Sequence, residues 1–188
     1  MPEVKCPTLQ NILAGTDCME DFGGLGSIVY VFVKSDLKAP LTRNDNEWST
    51  PEFQEGKGLY KFECKEDSQG IVGSSQGYRG GFKQQLDFVL EAVNKDSSKV
   101  ARALNNLDCG YIVKDGEVSQ IVYHPDRKFV YDADGISADT GKAPEDDRQV
   151  NLSGTLKNVF YPNMFVKEPE EGWDSLLASA VQASEPGE

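Results

Sequence analysis

Gly81-Phe82-Lys83-Gln84-Gln85-Leu86-Asp87-Phe88-Val89-Leu90 opens the stretch that decides the fold, residues 79–162. Phe82, Leu86, Val89 and Val93 fit one face of a helix, whereas Phe82, Leu86, Phe88, Leu90 and Ala92 mostly fit one face of a strand. Glycines precede the run and a helix-start signal follows it, so a strand is expected. That signal is Asn94-Lys95-Asp96-Ser97-Ser98, whose side-chain oxygens suit the cap of a helix over 99–107. Val100, Ala103, Leu104 and Leu107 share its apolar face, and Gly110 suits a left-handed stop.

Next comes a hairpin. Tyr111-Ile112-Val113 and Val118 to Tyr123 flank Lys114-Asp115-Gly116-Glu117, and Asp-Gly favours the primed turns that match strand twist. A turn at His124-Pro125-Asp126-Arg127 leads to Phe129-Val130-Tyr131. An acidic loop is expected over 132–147, before Val150, Leu152, Gly154 and Leu156 mark one face of a last long strand over 149–159.

Working outward, Ser27-Ile28-Val29-Tyr30-Val31-Phe32-Val33 is β-branched or aromatic on both faces, the pattern of a strand buried on both sides or meeting another subunit. Residues 38–58 are polar and rich in Pro, Asn and Gly, and a structureless loop of that length in a compact domain is usually functional or disordered. Trp48 within it suits a partner's surface, where Trp is enriched, or folds back on its own domain. Leu59 to Cys64 reads as a further strand, and Ile71-Val72, set among glycines and serines, as an irregular one. Residues 1–25 read as an arm, and 167–188 as a C-terminal extension in which Asp174 caps a short helix.

The 188 residues carry 31 acidic and 19 basic side chains, a formal charge of -12. Such a field repels phosphate backbones and disfavours ordinary nucleic-acid recognition. It serves solubility, or a conduit wall past which DNA slides without sticking. Cys6, Cys18, Cys64 and Cys109 include no C-x-x-C pair and His124 is the single histidine, so a zinc site is not expected. Cys64 and Cys109 sit among apolar residues and read as small core side chains. The N-terminus lacks the pattern of a secretory signal, and no apolar run is long enough for a spanning helix, so a soluble protein made in a cytoplasm is expected.

Catalytic patterns fail on named residues. Gly23-Gly24-Leu25-Gly26 lacks the third glycine of a dinucleotide loop, and the glycines from Gly70 to Gly81 are followed by no G-K-[ST]. Asp132-Ala133-Asp134-Gly135 lacks the remaining acidic ligands of a calcium loop. His124 stands in good turn chemistry with no local nucleophile, and Glu20-Asp21 and Glu145-Asp146-Asp147 read as solvated loop charges. No catalytic residue, cofactor or metal is expected.

The order of elements resembles the tail tube proteins of long-tailed bacteriophages and related contractile systems. Three stretches carry the resemblance: the strand over 81–93, the helix over 96–107, and the hairpin, acidic loop and returning strand from Tyr111 to Tyr161-Pro162. The loop over 139–148 is similar to the one before the last strand in members from phages of gut bacteria. Together they cover a little under half the chain, while the glycine-rich region and the Trp173 segment have no counterpart.

The resemblance implies a mainly β fold, a β-sandwich or incomplete barrel with one flanking α-helix and long inter-subunit loops, forming one domain over 1–166. Its sheets would join across subunits into a ring, commonly a hexamer, and stacked rings would carry DNA in the virion. The arm and the 38–58 loop would reach to neighbours. Ile28, Tyr30, Phe32, Trp48 and Phe53 are the expected subunit contacts. The expected partners are further copies of the chain and other tail or head-completion proteins, with DNA passing transiently and no membrane involved. A capsid decoration or head-tail connector protein and a small-ligand or glycan-binding β-domain are the alternatives.

Overall fold

A computed structural model describes residues 25–178, apart from Arg79, Ala92, Glu117 and 142–147. The chain runs β1 (Ile28–Val33), β2 (Arg43–Asn44), β3 (Glu47–Trp48), β4 (Tyr60–Glu63), β5 (Gly70–Ser75), β6 (Phe82–Glu91), α1 (Lys95–Asn106), β7 (Cys109–Asp115), β8 (Val118–Val122), β9 (Val130–Asp139), β10 (Gln149–Val159) and β11 (Phe165–Val166). One sheet has the order β2-β3-β11-β8-β7-β1-β4 and the other β5-β6-β10-β9. Among the described residues the fold is mainly β, two facing sheets with a single α-helix, as the sequence leads one to expect.

β6 and β10 form the spine of the smaller sheet, antiparallel from Gln149 opposite Glu91 to Lys157 opposite Lys83. Their alternation is regular, with Gln84 the one polar side chain buried at an inward position of β6. Leu86, Phe88, Leu90, Val150, Leu152 and Leu156 point into the space between the sheets, and the polar residues between them face outward. There they meet Val29 and Val31 of β1, Tyr111 and Val113 of β7, and Val122 of β8. Tyr111 meets Phe129 at a tilt with ring centroids 4.7 Å apart, and Phe129 meets Tyr131 edge-on at 5.2 Å. Removing one of these large apolar side chains from water contributes about 1.5–3 kcal/mol.

The opposite face of the larger sheet is covered too. Tyr30, Phe32, Ile112, Ile121 and Tyr123 form a second core with Leu37, Leu41, Trp48, Leu59, Met164, Val166 and Trp173. The molecule is thus three layers: small sheet, large sheet, and a wrap of irregular chain from residues 34–59 and 160–177. This explains why β1 is apolar on both faces. Val29 and Val31 serve one core, Tyr30 and Phe32 the other, and no second subunit is needed to cover them.

The 38–58 loop is consequently tied down. Arg43–Asn44 and Glu47–Trp48 pair as a miniature hairpin, and Leu37 bridges Phe53. Backbone bonds run from Lys38 N–H to Glu52 C=O and from Gln54 N–H to Asp36 C=O, each 2.9 Å. The C-terminal segment is equally integral: Trp173 is buried, in a 3-10 turn (Trp173–Leu176), where a helix opened by Asp174 is expected. Residues 179–188 and 1–24 lie outside the described residues, and with them Cys6, Cys18, Glu20-Asp21 and most of the arm; Leu25 packs on the first core.

The helix begins as its sequence dictates. Asn94 Oδ1 accepts the N–H groups of Asp96 (2.9 Å) and Ser97 (2.8 Å), and Ser97 Oγ accepts the Asn94 N–H at 2.9 Å, a reciprocal box. Its packed face differs from expectation: Val100, Ala101 and Leu104 touch the core, while Ala103 and Leu107 are exposed. Its end differs as well, because Leu107 is the extended cap and Gly110 lies inside β7, where Phe32 leaves no room for a side chain.

The expected acidic loop is half strand. β9 continues through Asp139, pairing Leu152 with Ile136 and then Gly154 with Tyr131, so that 132–135 loop out opposite Ser153 alone. A Cβ on Gly135 would stand 2.7 Å from the Asp132 nitrogen and closer to the Ser153 carbonyl oxygen. Asp132 and Asp134 therefore sit in a bulge, which hides strand periodicity from the sequence.

At one corner the sheets join. Cys64, just beyond β4, bridges Leu90 of β6, and the Lys65 N–H reaches the Val89 carbonyl at 2.8 Å, before β5 pairs along the same side of β6. One run of chain thus passes from the larger sheet to the smaller, the feature of an incomplete barrel.

Candidate functional site

Among the described residues four strand edges bound the two sheets, and three are managed at least in part. β2 is two residues long. β4 is capped at its start by the C-terminal segment, with Leu59 N–H on Leu176 C=O (2.8 Å) and Ala178 N–H on Leu59 C=O (2.9 Å). β9 carries the bulge, Asp132, Asp134 and Asp139. Short length, bulges and charge are the usual ways to prevent edge-to-edge pairing.

β5 has none of these protections. Gly70-Ile71-Val72-Gly73-Ser74-Ser75 contains no charged residue and no proline, and pairs with β6 along its whole length. On its other side no backbone hydrogen bond is made among the described residues. Val72 is 57% exposed. The sequence signal is the lack of charge across six residues of a strongly acidic chain, which the glycines at 70 and 73 obscure.

The five expected contact residues lie elsewhere. Tyr30, Phe32 and Trp48 are buried in the second core, so their side chains are occupied within the chain: Trp48 meets Tyr123 edge-on at 5.2 Å, and Phe32 meets Phe53 at 6.1 Å. Ile28 and Phe53 are half-buried against the same core. The structure does bring all five into one cluster, as a layer contact inside the fold.

The outer face of the smaller sheet is polarised along its strands. At one end Lys83 and Lys157 stand directly opposite each other, neither with a carboxylate partner among the described residues. Exposed aromatic side chains accompany them: Tyr78 in the β5–β6 connection, 92% exposed, and Phe160 just after β10. At the other end Glu91 and Asp139 flank Gln149 in one cross-strand row. Glu91 also lines a cleft of about 530 Å³ with Ile28, Glu63, Cys64, Lys65 and Glu66.

A second cleft, about 550 Å³, lies between the β2–β3 turn and the start of β8, lined by Asp45, Glu47, Val118, Ser119 and Glu168 among others. Beside it Arg43 lies 4.0 Å over the Phe160 ring, whose other neighbour is His124, stacked at 5.4 Å. His124 Nδ1 accepts the Asp126 N–H at 3.1 Å, the turn role expected of it, and burial first, then the cations Arg127, Lys34 and Arg43, hold its pKa below the ordinary value against the pull of Asp126.

The remaining perturbed groups are structural. Burial pushes the Cys64 and Cys109 thiols up to about 11, and both are free and buried, in keeping with small core residues. Burial, then the hydrogen bond to Asp174, raises Tyr30 to about 12. Tyr111 and Tyr131 share a hydrogen bond between their hydroxyls inside the core, and burial raises both. Among the described residues no three His, Cys, Asp or Glu side chains converge as metal ligands, and no helix is long and apolar enough to cross a membrane.

Comparison of the chain with protein-family models, curated proteins and solved structures finds no match. What the protein does must be argued from its own edges and charges.

Proposed function

We propose that the chain is the repeating subunit of a self-assembling tube of the phage-tail kind, a structural virion protein whose wall lets DNA pass without holding it. The open β5 edge carries this reading. Among the described residues the outer row of β5 backbone donors and acceptors makes no hydrogen bond; such a six-residue uncharged strand is a template for another strand, and natural monomers seldom leave one unprotected. The other edges are protected to different degrees: β4 is covered by the C-terminal segment only at Leu59, which leaves Tyr60–Glu63 as a second edge among the described residues. Pairing β5 with the β4 edge of the next copy would give a heterologous contact, which closes into a ring when the rotation per subunit divides a full turn.

The charge of -12 fits the second half of the reading. A conduit wall needs to repel phosphate, because counterion release would otherwise make DNA stick.

The test is assembly against concentration, followed by light scattering and negative-stain images. The full chain is expected to form rings or tubes, and Val72→Lys, an exposed substitution on the edge, is expected to leave a folded monomer. A wild-type chain that stays monomeric at every salt and concentration overturns the reading. Association with preformed phage heads instead of with itself would turn it toward a decoration or connector protein.

A further inference from the structure

We infer that successive copies of this chain also join end to end, the lysine end of one smaller sheet seating in the acidic cleft of the next. The inference rests on the self-assembly reading above and names a second contact within it.

Lys83 and Lys157 are a like-charged pair directly across a strand pair, an arrangement that costs stability unless an anion lies nearby. No carboxylate of the described residues reaches either one. Near them in the chain Tyr78 is 92% exposed, and Phe160, which lies against Arg43 and His124, is still 50% exposed. Aromatic side chains set beside cations are a common composition for contact surfaces.

The complementary surface stands at the far end of the same strand. Glu63, Glu66 and Glu91 border the cleft of about 530 Å³ together with a single lysine, Lys65, so that carboxylates predominate, and Ile28 supplies apolar wall. From Lys83 to Glu91 the strand extends on the order of 27 Å at about 3.4 Å per residue. The two surfaces therefore do not overlap, and a copy engages one neighbour at each end. Such a head-to-tail contact propagates without limit.

The occupant is a second copy because both halves of the match belong to this chain. At a net charge of -12 two copies repel at a distance, so a contact between them needs local opposite charge to fix its orientation. The lysine end is where β6 and β10 offer that charge.

Two double variants test this: Lys83→Glu with Lys157→Glu, and Glu63→Lys with Glu91→Lys, all at surface positions, with folding checked by circular dichroism. Sedimentation and negative-stain images of the full chain report axial association. Each variant alone is expected to lose axial association by roughly tenfold or more, and wild-type association is expected to weaken as salt rises. An equimolar mixture of the two is expected to regain it, since each supplies the sign the other lost. Variants that stack like the wild type, or a mixture that does not recover, overturn the inference. Rings that persist in both variants without stacking leave the tube reading standing; a wild type that never associates ends both.

Discussion

The ring of Phe32 lies against Gly110 so closely that a Cβ added there would stand 2.8 Å from both Cε carbons. This contact locks β1 to β7 through the second core, in the pair that sets Phe32 opposite Gly110. Gly110→Ala is expected to cost about 1–3 kcal/mol, since the ring has no space to yield without disturbing Tyr123 and Phe53. Chemical denaturation read by Trp fluorescence checks it, and an unchanged midpoint would count against the packing described.

Trp173 ties the outer wrap to the larger sheet. Its indole N–H donates to Ser119 Oγ at 2.9 Å, and its ring lies 6.3 Å from Tyr30. Trp173→Ala is expected to destabilise by about 3–5 kcal/mol, and Ser119→Ala by about 1–3 kcal/mol through the unsatisfied N–H. If residues 167–178 were a detachable extension, truncation after 166 would leave the melting temperature unchanged; a large drop is expected.

Alkali is expected to destabilise the protein through its buried thiols and Tyr30. Cys64 and Cys109 rise from 9.0 to about 11 on folding, and Tyr30 from 10.0 to about 12. Because each folded value lies above the unfolded one, the neutral form is the one the fold holds. Their contribution is whole below pH 9, declines from there as the unfolded chain ionises, and is lost by about pH 12. Denaturation midpoints between pH 7 and 12 measure this, and Cys64→Ala should move the onset upward.

His124 acts in the opposite sense. Its folded pKa lies below 6.5, so stability is present above that value and falls as pH drops through the folded one. His124→Asn, which can still accept the Asp126 N–H, is expected to flatten the acid limb between pH 7 and 5.

Asn94→Ala removes the single oxygen that accepts the N–H groups of both Asp96 and Ser97 at the start of α1 and is expected to cost about 1 kcal/mol. Amide exchange should rise first at Asp96 and Ser97, with the β-sheet amides little changed.

Sequence alone disclosed the elements whose signals are local. β6 and β10 alternate along ten residues or more, Asn94 and Ser97 form their box within four residues, and Asp115-Gly116 turns the β7–β8 hairpin, with Gly116 at φ 58°. What stayed hidden depends on distant chain. Tyr30 and Phe32 announce that both faces of β1 are covered, yet a residue has no means of saying whether the cover is Trp48 of its own loop or a neighbour's surface. β9 was masked by the bulge at Asp132–Gly135, where four residues stand against one and the period of two breaks. The β5 edge escaped notice because its meaning lies in what neighbouring chain fails to do.

The corner at Cys64 gives this protein a mechanical character. β4 and β5 are one run of backbone stitched to β1 on one side and to β6 on the other, with Cys64 and Leu90 at the crossing. A pull applied along β5 loads its hydrogen bonds to β6 in shear and passes through the corner into the larger sheet. Tension at the margin is thereby spread over both cores, and a strand that looks peripheral becomes a tendon of the whole domain.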